Sequence, residues 1–298
     1  MGVAVRGLGQ RRVGRTTVRG AKTLVTGAAS GIGRATALAA AAAGAEMVLT
    51  DINAEGLAET VETIRARGGV VLASRALDIT DYDAVAAFAE SVHAEHPSLD
   101  IVMNVAGHSI WGTVENLEHR HWRHMVEVNL MGPIHVIETF VPAMVRAGKG
   151  GALVNVSSAA GLIALPWHAA YSAGKYGIRG VSEVLRFDLE THGISVHLVA
   201  PGAVDTPLVH TVELVGIDRR EPRVDRMAKR FTKHAVPPEK VAAAILQGIE
   251  RNRFIVYSSP DIRFGYWWAR KFALPYEFVI RQMSARFNRL LTASRAGS

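Results

Sequence analysis

The chain has 298 residues, a formal net charge of +7 and no cysteine. This length fits one large α/β domain with tails, and the lack of cysteine excludes a disulfide framework or a thiolate metal site. The positive charge lies at the ends: residues 1–20 hold five arginines and no acid, and residues 260–298 hold seven Lys or Arg against two acids. Basic ends on a near-neutral core argue against nucleic-acid binding and favour solubilising tails or membrane-surface contacts.

From residue 22 onward, short β-branched runs alternate with helical stretches, a pattern typical of stacked βαβ units and a parallel sheet covered on both faces. The predicted strands are 22–26, 46–51, 70–77, 101–105, 152–157, 194–200 and 254–257. The predicted helices lie near 34–43, 54–67, 81–95, 118–147, 172–191 and 238–251. These elements predict a doubly wound α/β domain over residues 21–258.

The segments outside this pattern carry separate expectations. Residues 1–20 are expected to be a disordered basic tail or an over-extended start. Residues 203–236 contain two prolines, are followed by Pro237, and have no predicted strand, which predicts a lid over a cleft or else an irregular surface loop. No apolar run is long enough to span a membrane and no secretory signal is evident, so we expect a cytoplasmic protein.

A glycine-rich run, Thr26 to Gly33, directly follows the first predicted strand and opens a helix. Glycines at this position let backbone N–H groups approach a pyrophosphate at the positive end of the helix. Asp51 ends the second predicted strand, where a carboxylate accepts hydrogen bonds from an adenosine ribose and repels a 2′-phosphate. Ile52 follows instead of a basic residue, so the pattern favours NAD. NADP is the alternative, with Arg34 as the residue that could accommodate it.

Tyr171 and Lys175 lie four residues apart in a predicted helix, which puts both side chains on one face. An ammonium group beside a phenol favours the phenolate, so the sequence predicts a Tyr171 pKa lowered toward the working pH. Many helices contain this spacing by chance, and its interpretation therefore depends on the surrounding motifs.

These motifs together resemble the short-chain dehydrogenase/reductase family over about residues 21–258. Thr26 to Gly33 is similar to the family's cofactor turn, and Asn104 to Gly107 is similar to its strand-four motif. Ser158 corresponds to its active-site serine, and Tyr171 with Lys175 corresponds to its catalytic pair. Pro201-Gly202 with Thr206 is similar to its motif after strand six. Ser158 stands thirteen residues before Tyr171, as is usual in the family. The one departure is Val105, where a second asparagine is common.

The resemblance implies a Rossmann-type, seven-stranded parallel sheet and an oxidoreductase that transfers hydride between NAD(H) and an alcohol or carbonyl compound. It implies that Ser158 binds the substrate oxygen, Tyr171 exchanges its proton, Lys175 binds the nicotinamide ribose, and Asn129 holds a water. The implied cofactor contacts are Gly27, Ser30, Gly31, Ile32, Gly33, Asp51, Asp78, Asn104, Ala106, Gly107, Tyr171, Lys175, Pro201, Gly202, Val204 and Thr206. Among them, Asp78 would contact the adenine and Asn104 would lie along the adenosine. It also implies a homodimer or homotetramer.

Two further regions bear on ligands. The apolar stretch from Gly161 to Trp167, together with Trp111, predicts a lipophilic secondary alcohol, ketone or aldehyde as substrate. The aromatic, basic segment 259–298 is expected to pack over the cleft or a subunit interface, with peripheral membrane contact as the alternative. We expect no metal site, because the histidines at 119, 121 and 124 lack carboxylate or cysteine partners at ligand spacing. A non-catalytic NAD sensor on the same fold is the alternative function.

Overall fold

The structure is a computed structural model, and it describes residues 14–208, 212–216, 226 and 235–295. The strands are β1 (Lys22–Thr26), β2 (Glu46–Asp51), β3 (Val70–Ala76), β4 (Ile101–Asn104), β5 (Ile110–Gly112), β6 (Gly151–Val156), β7 (Ile194–Ala200), β8 (Glu213–Val215) and β9 (Ile255–Tyr257). Seven of them form one parallel sheet in the order β3-β2-β1-β4-β6-β7-β9. The predicted seven-stranded, doubly wound fold is confirmed.

The helices are α1 (Gly31–Ala42), α2 (Ala54–Ala66), α3 (Tyr82–Glu95), α4 (His119–Val126), α5 (Gly132–Ala147), α6 (Ala169–Asp188), α7 (Pro238–Glu250), α8 (Pro260–Lys271) and α9 (Ala273–Arg295). Helices α1, α2 and α7 pack in one apolar core, and α3 and α5 pack in another. Leu24 and Val25 are neighbours in β1 but lie in different cores, because successive side chains of a strand point to opposite faces. Burial on both faces explains why the strands are continuous apolar runs in the sequence.

The order of the sheet fixes the position of the site. Strands β1 and β4 are neighbours, and the connections from this pair lead away in opposite directions, so a crevice opens at their carboxyl ends. The Thr26 side-chain oxygen accepts hydrogen bonds from the backbone N–H groups of Val105 and Ala106, at 3.0 and 3.1 Å. These bonds hold together the two loops that border the crevice.

A small second sheet corrects the prediction for residues 203–236. Strand β8 lies within that segment and pairs in parallel with β5, whereas no strand was predicted there. Three-residue strands are too short to show alternation, and their pairing joins distant parts of the chain. The ends of the segment are held together by hydrogen bonds of Val236 with Ala203 and Asp205, both at 2.9 Å. Residues 209–211, 217–225 and 227–234, on which the lid prediction also depends, lie outside the described residues.

The expectations for the N-terminus and for membrane spans are also partly tested. Val18 is buried in a core, so ordered chain begins before the predicted boundary at residue 20, while residues 1–13 lie outside the described part. Within the described residues, the helical stretch His119–Ala147 has the length and hydropathy to cross a membrane. Half of its apolar window is buried inside the protein, as in the core helix of a folded domain.

Candidate active site

The turn between β1 and α1 is shaped by glycines that leave no room for side chains. Gly27 has a φ of +70°, and a Cβ there would lie 2.8 Å from the Cα of Ala106. A Cβ on Gly33 would lie 1.9 Å from the carbonyl oxygen of Gly27. The helix can therefore start close against the turn, with its first backbone N–H groups facing the crevice. This arrangement fits the pyrophosphate of a dinucleotide.

A cavity of about 530 Å³ extends from this turn along the carboxyl ends of β1, β2 and β4. Most of the predicted cofactor contacts line it, namely Gly27, Ser30, Gly31, Ile32, Gly33, Asp51, Asp78, Ala106, Gly107 and Thr206. No Lys or Arg lines it among the described residues, and Arg34 is absent from its wall. Its polar lining includes Asp51, Asn53 and Asp78, whose side chains could hydrogen-bond an adenosine.

Asp51 and Asp78 reach this cavity from the ends of β2 and β3. The two carboxylate oxygens of Asp51 accept the backbone N–H groups of Ala29 and Asn53, both at 2.9 Å. One Asp78 oxygen accepts the backbone N–H of Thr80 at 2.9 Å. These bonds orient both carboxylates while leaving lone pairs for a ligand.

A second cavity, of about 360 Å³, adjoins the first and contains the predicted catalytic residues. The residues predicted from the sequence that line it are Ser158, Tyr171, Lys175, Asn129, Pro201, Gly202, Val204 and Thr206. The two cavities share six residues, which therefore stand between the cofactor cavity and the predicted catalytic residues: Ile32, Val105, Gly107, His108, Thr206 and Leu208.

The three residues predicted to be catalytic come from two elements that pack closely. Ser158 follows β6, where its Oγ accepts the backbone N–H of Ala160 at 3.1 Å, and Tyr171 and Lys175 lie one turn apart on α6. The Lys175 Nζ donates to the carbonyl oxygen of Val156 at 3.1 Å and lies 5.7 Å from the centre of the Tyr171 ring. The Ser157 hydroxyl donates to the carbonyl oxygen of Lys175 at 2.8 Å, so this part of α6 is tied to β6.

The protonation of this trio differs from the sequence-based expectation. Burial raises the pKa of Tyr171, and a hydrogen bond with Ser158 opposes that rise. Burial lowers the pKa of Lys175 to about 8. The sequence predicted that the ammonium would lower the Tyr171 pKa. That direction is wrong in this structure, because loss of water around the phenol is the largest influence on its pKa and outweighs the hydrogen bond with Ser158, while the Lys175 ammonium donates to a backbone carbonyl.

Asn129 lies in a π-helical turn between α4 and α5, Glu127–Met131, that the sequence did not reveal. Its Nδ2 donates to the carbonyl oxygens of His108 and Met125 at 2.9 and 3.1 Å, and its Oδ1 accepts the His108 N–H at 3.2 Å. These bonds fix the loop after β4 at the boundary of the two cavities. A Cβ on Gly107 would lie 3.0 Å from Asn129 Oδ1 and 3.1 Å from Lys175 Nζ, so the glycine keeps space open between them.

Asn104 is placed differently from its predicted position along the adenosine. Its side chain is buried, and its Nδ2 donates to Asn155 Oδ1 at 2.9 Å and to the carbonyl oxygen of Pro133 at 3.3 Å. Asn155 in turn donates to Ser182 at 3.0 Å. The Asn104 side chain thus belongs to a buried network beneath the cavity, since this strand residue points into the protein.

Several residues of the second cavity could not be found by motif. His168 lines it with its ring 4.3 Å from that of Trp111, and its Nδ1 lies 2.6 Å from the carbonyl oxygen of Pro166. Burial lowers the His168 pKa to about 4, so the imidazole is neutral at neutral pH. Asp261 and Ile262 enter the cavity wall from the start of α8. The tryptophans and the aromatic C-terminal segment are visible in the sequence and suggest a nearby cleft, but the sequence does not show which of these residues line it.

A pair of histidines, His124 on α4 and His108 in the loop after β4, lies beside the cofactor cavity. His124 Nε2 lies 3.2 Å from His108 Nδ1, and both rings border the cofactor cavity. Burial, and then the neighbouring His124, lower the pKa of His108. Within the part of the chain that the structure describes, no three His, Cys, Asp or Glu side chains are arranged to hold a metal ion.

A further cavity, of about 560 Å³, lies at the opposite edge of the sheet, lined by residues 14–17, 19–21, 148–151, Asp100, His192 and Gly193. Its wall combines glycines with the charged side chains of Arg15, Arg19, Lys149 and Asp100. The predicted catalytic side chains lie instead at the two cavities at the carboxyl ends of the strands.

Comparison with known proteins gives relatives over most of the chain. The probable oxidoreductase EphD of Mycobacterium tuberculosis is 36% identical over 86% of this chain, which spans only 44% of that longer protein. The D-threitol dehydrogenase of Mycolicibacterium smegmatis is 38% identical, over 76% of this chain and 85% of its own length.

Two solved structures are also similar. A short-chain dehydrogenase/reductase from Burkholderia phymatum in complex with NAD superposes with a TM-score of 0.78 at 26% identity, covering 86% of this chain and 95% of the other. A metagenomic short-chain oxidoreductase in complex with NADP gives a TM-score of 0.65 at 31% identity, covering 81% and 97%. The family model described as short chain dehydrogenase matches residues 21–214. The chain therefore belongs to the short-chain dehydrogenase/reductase family of NAD(P)-binding oxidoreductases.

Proposed function

We propose that this chain is an NAD(H)-dependent alcohol dehydrogenase or carbonyl reductase that interconverts a lipophilic secondary alcohol and its ketone, or an aldehyde. One observation carries the proposal: Ser158, Tyr171 and Lys175 border a single cavity that adjoins the glycine-lined cofactor cavity. When bound there, a nicotinamide ring supplies hydride transfer at its C4. The chain itself supplies orientation, a proton and hydrogen bonds to the substrate oxygen.

Tyr171 is the proposed proton donor in reduction and acceptor in oxidation. Burial raises its pKa, so the phenol is protonated at neutral pH and can donate to a carbonyl oxygen. The Ser158 hydroxyl hydrogen-bonds Tyr171 in this structure and would turn its O–H to the substrate oxygen as a second donor. Two donors directed at one oxygen stabilise the negative charge that develops there.

Lys175 and Asn129 are proposed as supporting groups. Lys175 would bind the nicotinamide ribose, and Asn129 would hold a water that connects this region to solvent. The space beside Gly107 supports this assignment, since it lies about equally close to Lys175 Nζ and Asn129 Oδ1. A group there could hydrogen-bond both side chains at once.

Asp51 supports NAD over NADP. Its carboxylate lines the cofactor cavity, and no described Lys or Arg in that wall could neutralise a 2′-phosphate. Its two backbone hydrogen bonds hold it in place at the end of β2. A fixed anion at this point favours a ribose with free hydroxyls.

Replacing Asp51 should test the cofactor assignment. The Asp51→Ser variant is expected to lose about 10²-fold in its NAD-over-NADP ratio of kcat/KM, because a charge-assisted hydrogen bond and a like-charge repulsion disappear together. Glu46→Gln removes a carboxylate from the other end of the same strand and should leave the ratio unchanged. A wild-type preference for NADP, or an unchanged ratio in Asp51→Ser, would refute the assignment.

The wall of the second cavity supports a lipophilic substrate. Its apolar members are Ile32, Val105, Trp111, Val156, Ile163, Leu165, Leu208, Val212 and Ile262. Polar groups cluster at Ser158, Tyr171 and the neutral His168, where the reacting oxygen would lie. An apolar pocket with a few convergent polar groups is typical of sites for small, mostly apolar ligands.

A small polyol is the most informative test substrate for comparison, because one relative is named D-threitol dehydrogenase. We expect kcat/KM for medium-chain or cyclic secondary alcohols to exceed that for threitol by about 10²-fold, because each buried methylene contributes about 0.8 kcal/mol. Initial rates of nicotinamide reduction across both substrate classes measure this ratio. A higher value for threitol would overturn the lipophilic assignment and leave the oxidoreductase assignment intact.

The C-terminal segment is proposed to close the outer side of this cavity. A Cβ on Gly202 would lie 3.0 Å from the side chain of Ile262, so α8 packs directly over the loop after β7. The Tyr276 hydroxyl accepts the backbone N–H of Ala164 at 2.7 Å, and Tyr266 hydrogen-bonds Arg179 at 2.9 Å. These contacts support packing on the cleft as the role of α8 and α9.

We also propose a homodimer or homotetramer. Tyr176, Val184 and Phe187 are exposed on one face of α6. An uncovered apolar helix face of this kind supports association with a second copy of the chain.

A further inference from the structure

Helices α8 and α9 are anchored to the domain through one face each. In α8, Tyr266 is buried and its hydroxyl meets Arg179. In α9, the Tyr276 hydroxyl holds the Ala164 backbone, and the Phe287 ring lies 4.9 Å from that of Trp167. Tyr276 and Phe287 are eleven residues apart and therefore lie on the same side of a helix. The opposite sides of both helices face away from the domain.

The outward sides carry an exposed aromatic cluster, which we define as Phe264, Trp267 and Phe272. Their side chains are 63%, 49% and 44% exposed. The rings of Phe264 and Trp267 lie 5.7 Å apart, and those of Trp267 and Phe272 lie 5.8 Å apart, so the three form one continuous surface. Leu274 and Phe278, on α9, are also exposed. A contiguous apolar surface of this kind marks an interaction site more often than scattered apolar residues do.

Exposed cations flank this cluster in the sequence. Arg263 precedes Phe264 and Lys271 precedes Phe272, and both cations are exposed, whereas the exposed Arg270 lies over the ring of the buried Tyr266. Residues 260–298 as a whole hold seven Lys or Arg against only two acids. The outward side of α8 therefore combines Trp and Phe with positive charge, which is the composition of helices that lie in a membrane interface.

We propose that the aromatic cluster and its cations dock on a bilayer containing anionic lipid, with α8 lying along the membrane surface. Charge complementarity favours lipid over a second copy of this chain, because the centre of a protein interface is depleted of charge, whereas here exposed Arg263 and Lys271 directly precede Phe264 and Phe272 in the chain. The start of α8 also forms part of the substrate cavity wall through Ile262. Docking in this manner would bring that cavity close to the lipid, where apolar alcohols and ketones concentrate.

Co-sedimentation of the full chain with vesicles tests this directly and requires no turnover. We expect recovery with phosphatidylcholine vesicles containing phosphatidylglycerol, little recovery with phosphatidylcholine alone, and a loss of recovery as salt rises. The Trp267→Ser/Phe272→Ser double variant should bind at least about tenfold more weakly. Val114→Ser removes a similarly exposed apolar side chain elsewhere and should bind like wild type.

Four results bear on the proposal. Loss of binding in the double variant, with unchanged thermal unfolding and wild-type binding by Val114→Ser, supports it. Equal recovery of wild type and double variant, or no recovery on anionic vesicles, overturns it. A smaller solution mass of the double variant, without vesicle binding by wild type, assigns the surface to a second copy and also overturns it. If the double variant fails to fold, the Arg263→Glu/Lys271→Glu variant replaces it. Loss of vesicle binding in that variant supports the proposal, and recovery equal to that of wild type overturns it.

Discussion

Replacing Tyr171 by Phe is expected to lower kcat by about 10²- to 10⁴-fold, the contribution of a positioned general acid or base. The phenyl ring keeps its packing against Ile110, Leu117 and Met125, so the fold and the cofactor cavity should be unaffected. Only the hydroxyl that exchanges a proton with the substrate is lost. Initial rates of nicotinamide reduction, with NADH affinity measured by fluorescence, separate the two effects.

Tyr176→Phe is the matched control. Tyr176 lies on the same helix, is 41% exposed and borders neither cavity, so removing its hydroxyl should leave kcat unchanged. If Tyr171→Phe retained more than about a tenth of the wild-type kcat, Tyr171 could not be the acid/base.

Replacing Lys175 by Met is expected to abolish most activity and yet stabilise the cofactor-free protein. The lysine is buried and its pKa falls to about 8 from an ordinary 10.5, so between these pH values the unfolded chain holds a proton that the folded chain has released. Stability therefore rises with pH across that window, and below pH 8 the buried ammonium costs the fold up to about 3 kcal/mol. Methionine has a similar length and carries no such cost.

Urea unfolding at pH 7 and above pH 10 measures this effect. The Met variant should exceed wild type by about 1–3 kcal/mol at pH 7, and the difference should shrink toward pH 10.5 as the wild-type lysine becomes neutral in both states. Lys240→Met, at an exposed position on α7, should change neither stability nor activity. A Met variant less stable than wild type at pH 7 would show that the ammonium is well solvated or paired in the fold.

The sequence predicts the central sheet well because its strands are buried on both faces. Every residue of β7 is buried and five of the seven are apolar, while the two polar residues, Ser195 and His197, hydrogen-bond each other at 2.8 Å. The cofactor turn is equally legible, since Gly27 and Gly33 occupy positions where a Cβ would collide with backbone. In both cases a local steric or solvation requirement restricts which residue types can occupy the positions concerned, so the sequence shows it directly.

Features that depend on contacts between distant parts of the chain cannot be predicted from such local patterns. Strand β8 exists because it pairs with β5, and neither has enough residues to show a pattern. The Asn104 side chain was predicted at the adenosine, whereas its direction is set by Asn155 in a neighbouring strand. The aromatic content of the C-terminal segment is visible in the sequence, but only the contacts of Tyr266 and Tyr276 reveal which faces are free.

The sign of the Tyr171 pKa shift illustrates the same limit energetically. Spacing along α6 places the ammonium near the phenol, and the attraction between them is the only effect that sequence can supply. The extent of desolvation depends on how completely the chain encloses both groups, and here it dominates. The spacing places the two groups beside each other, as in the structure, but predicts the wrong direction for the Tyr171 pKa shift.

The most direct test of the central claim is the rate at which the wild-type protein reduces NAD, followed at the absorbance band of the reduced nicotinamide, with a panel of lipophilic secondary alcohols. The account predicts turnover with NAD, slower turnover with NADP, and the reverse reaction when ketone and NADH are supplied. Tight NADH binding without turnover of any alcohol or ketone in the panel would contradict it and would favour a cofactor-sensing role on the same fold.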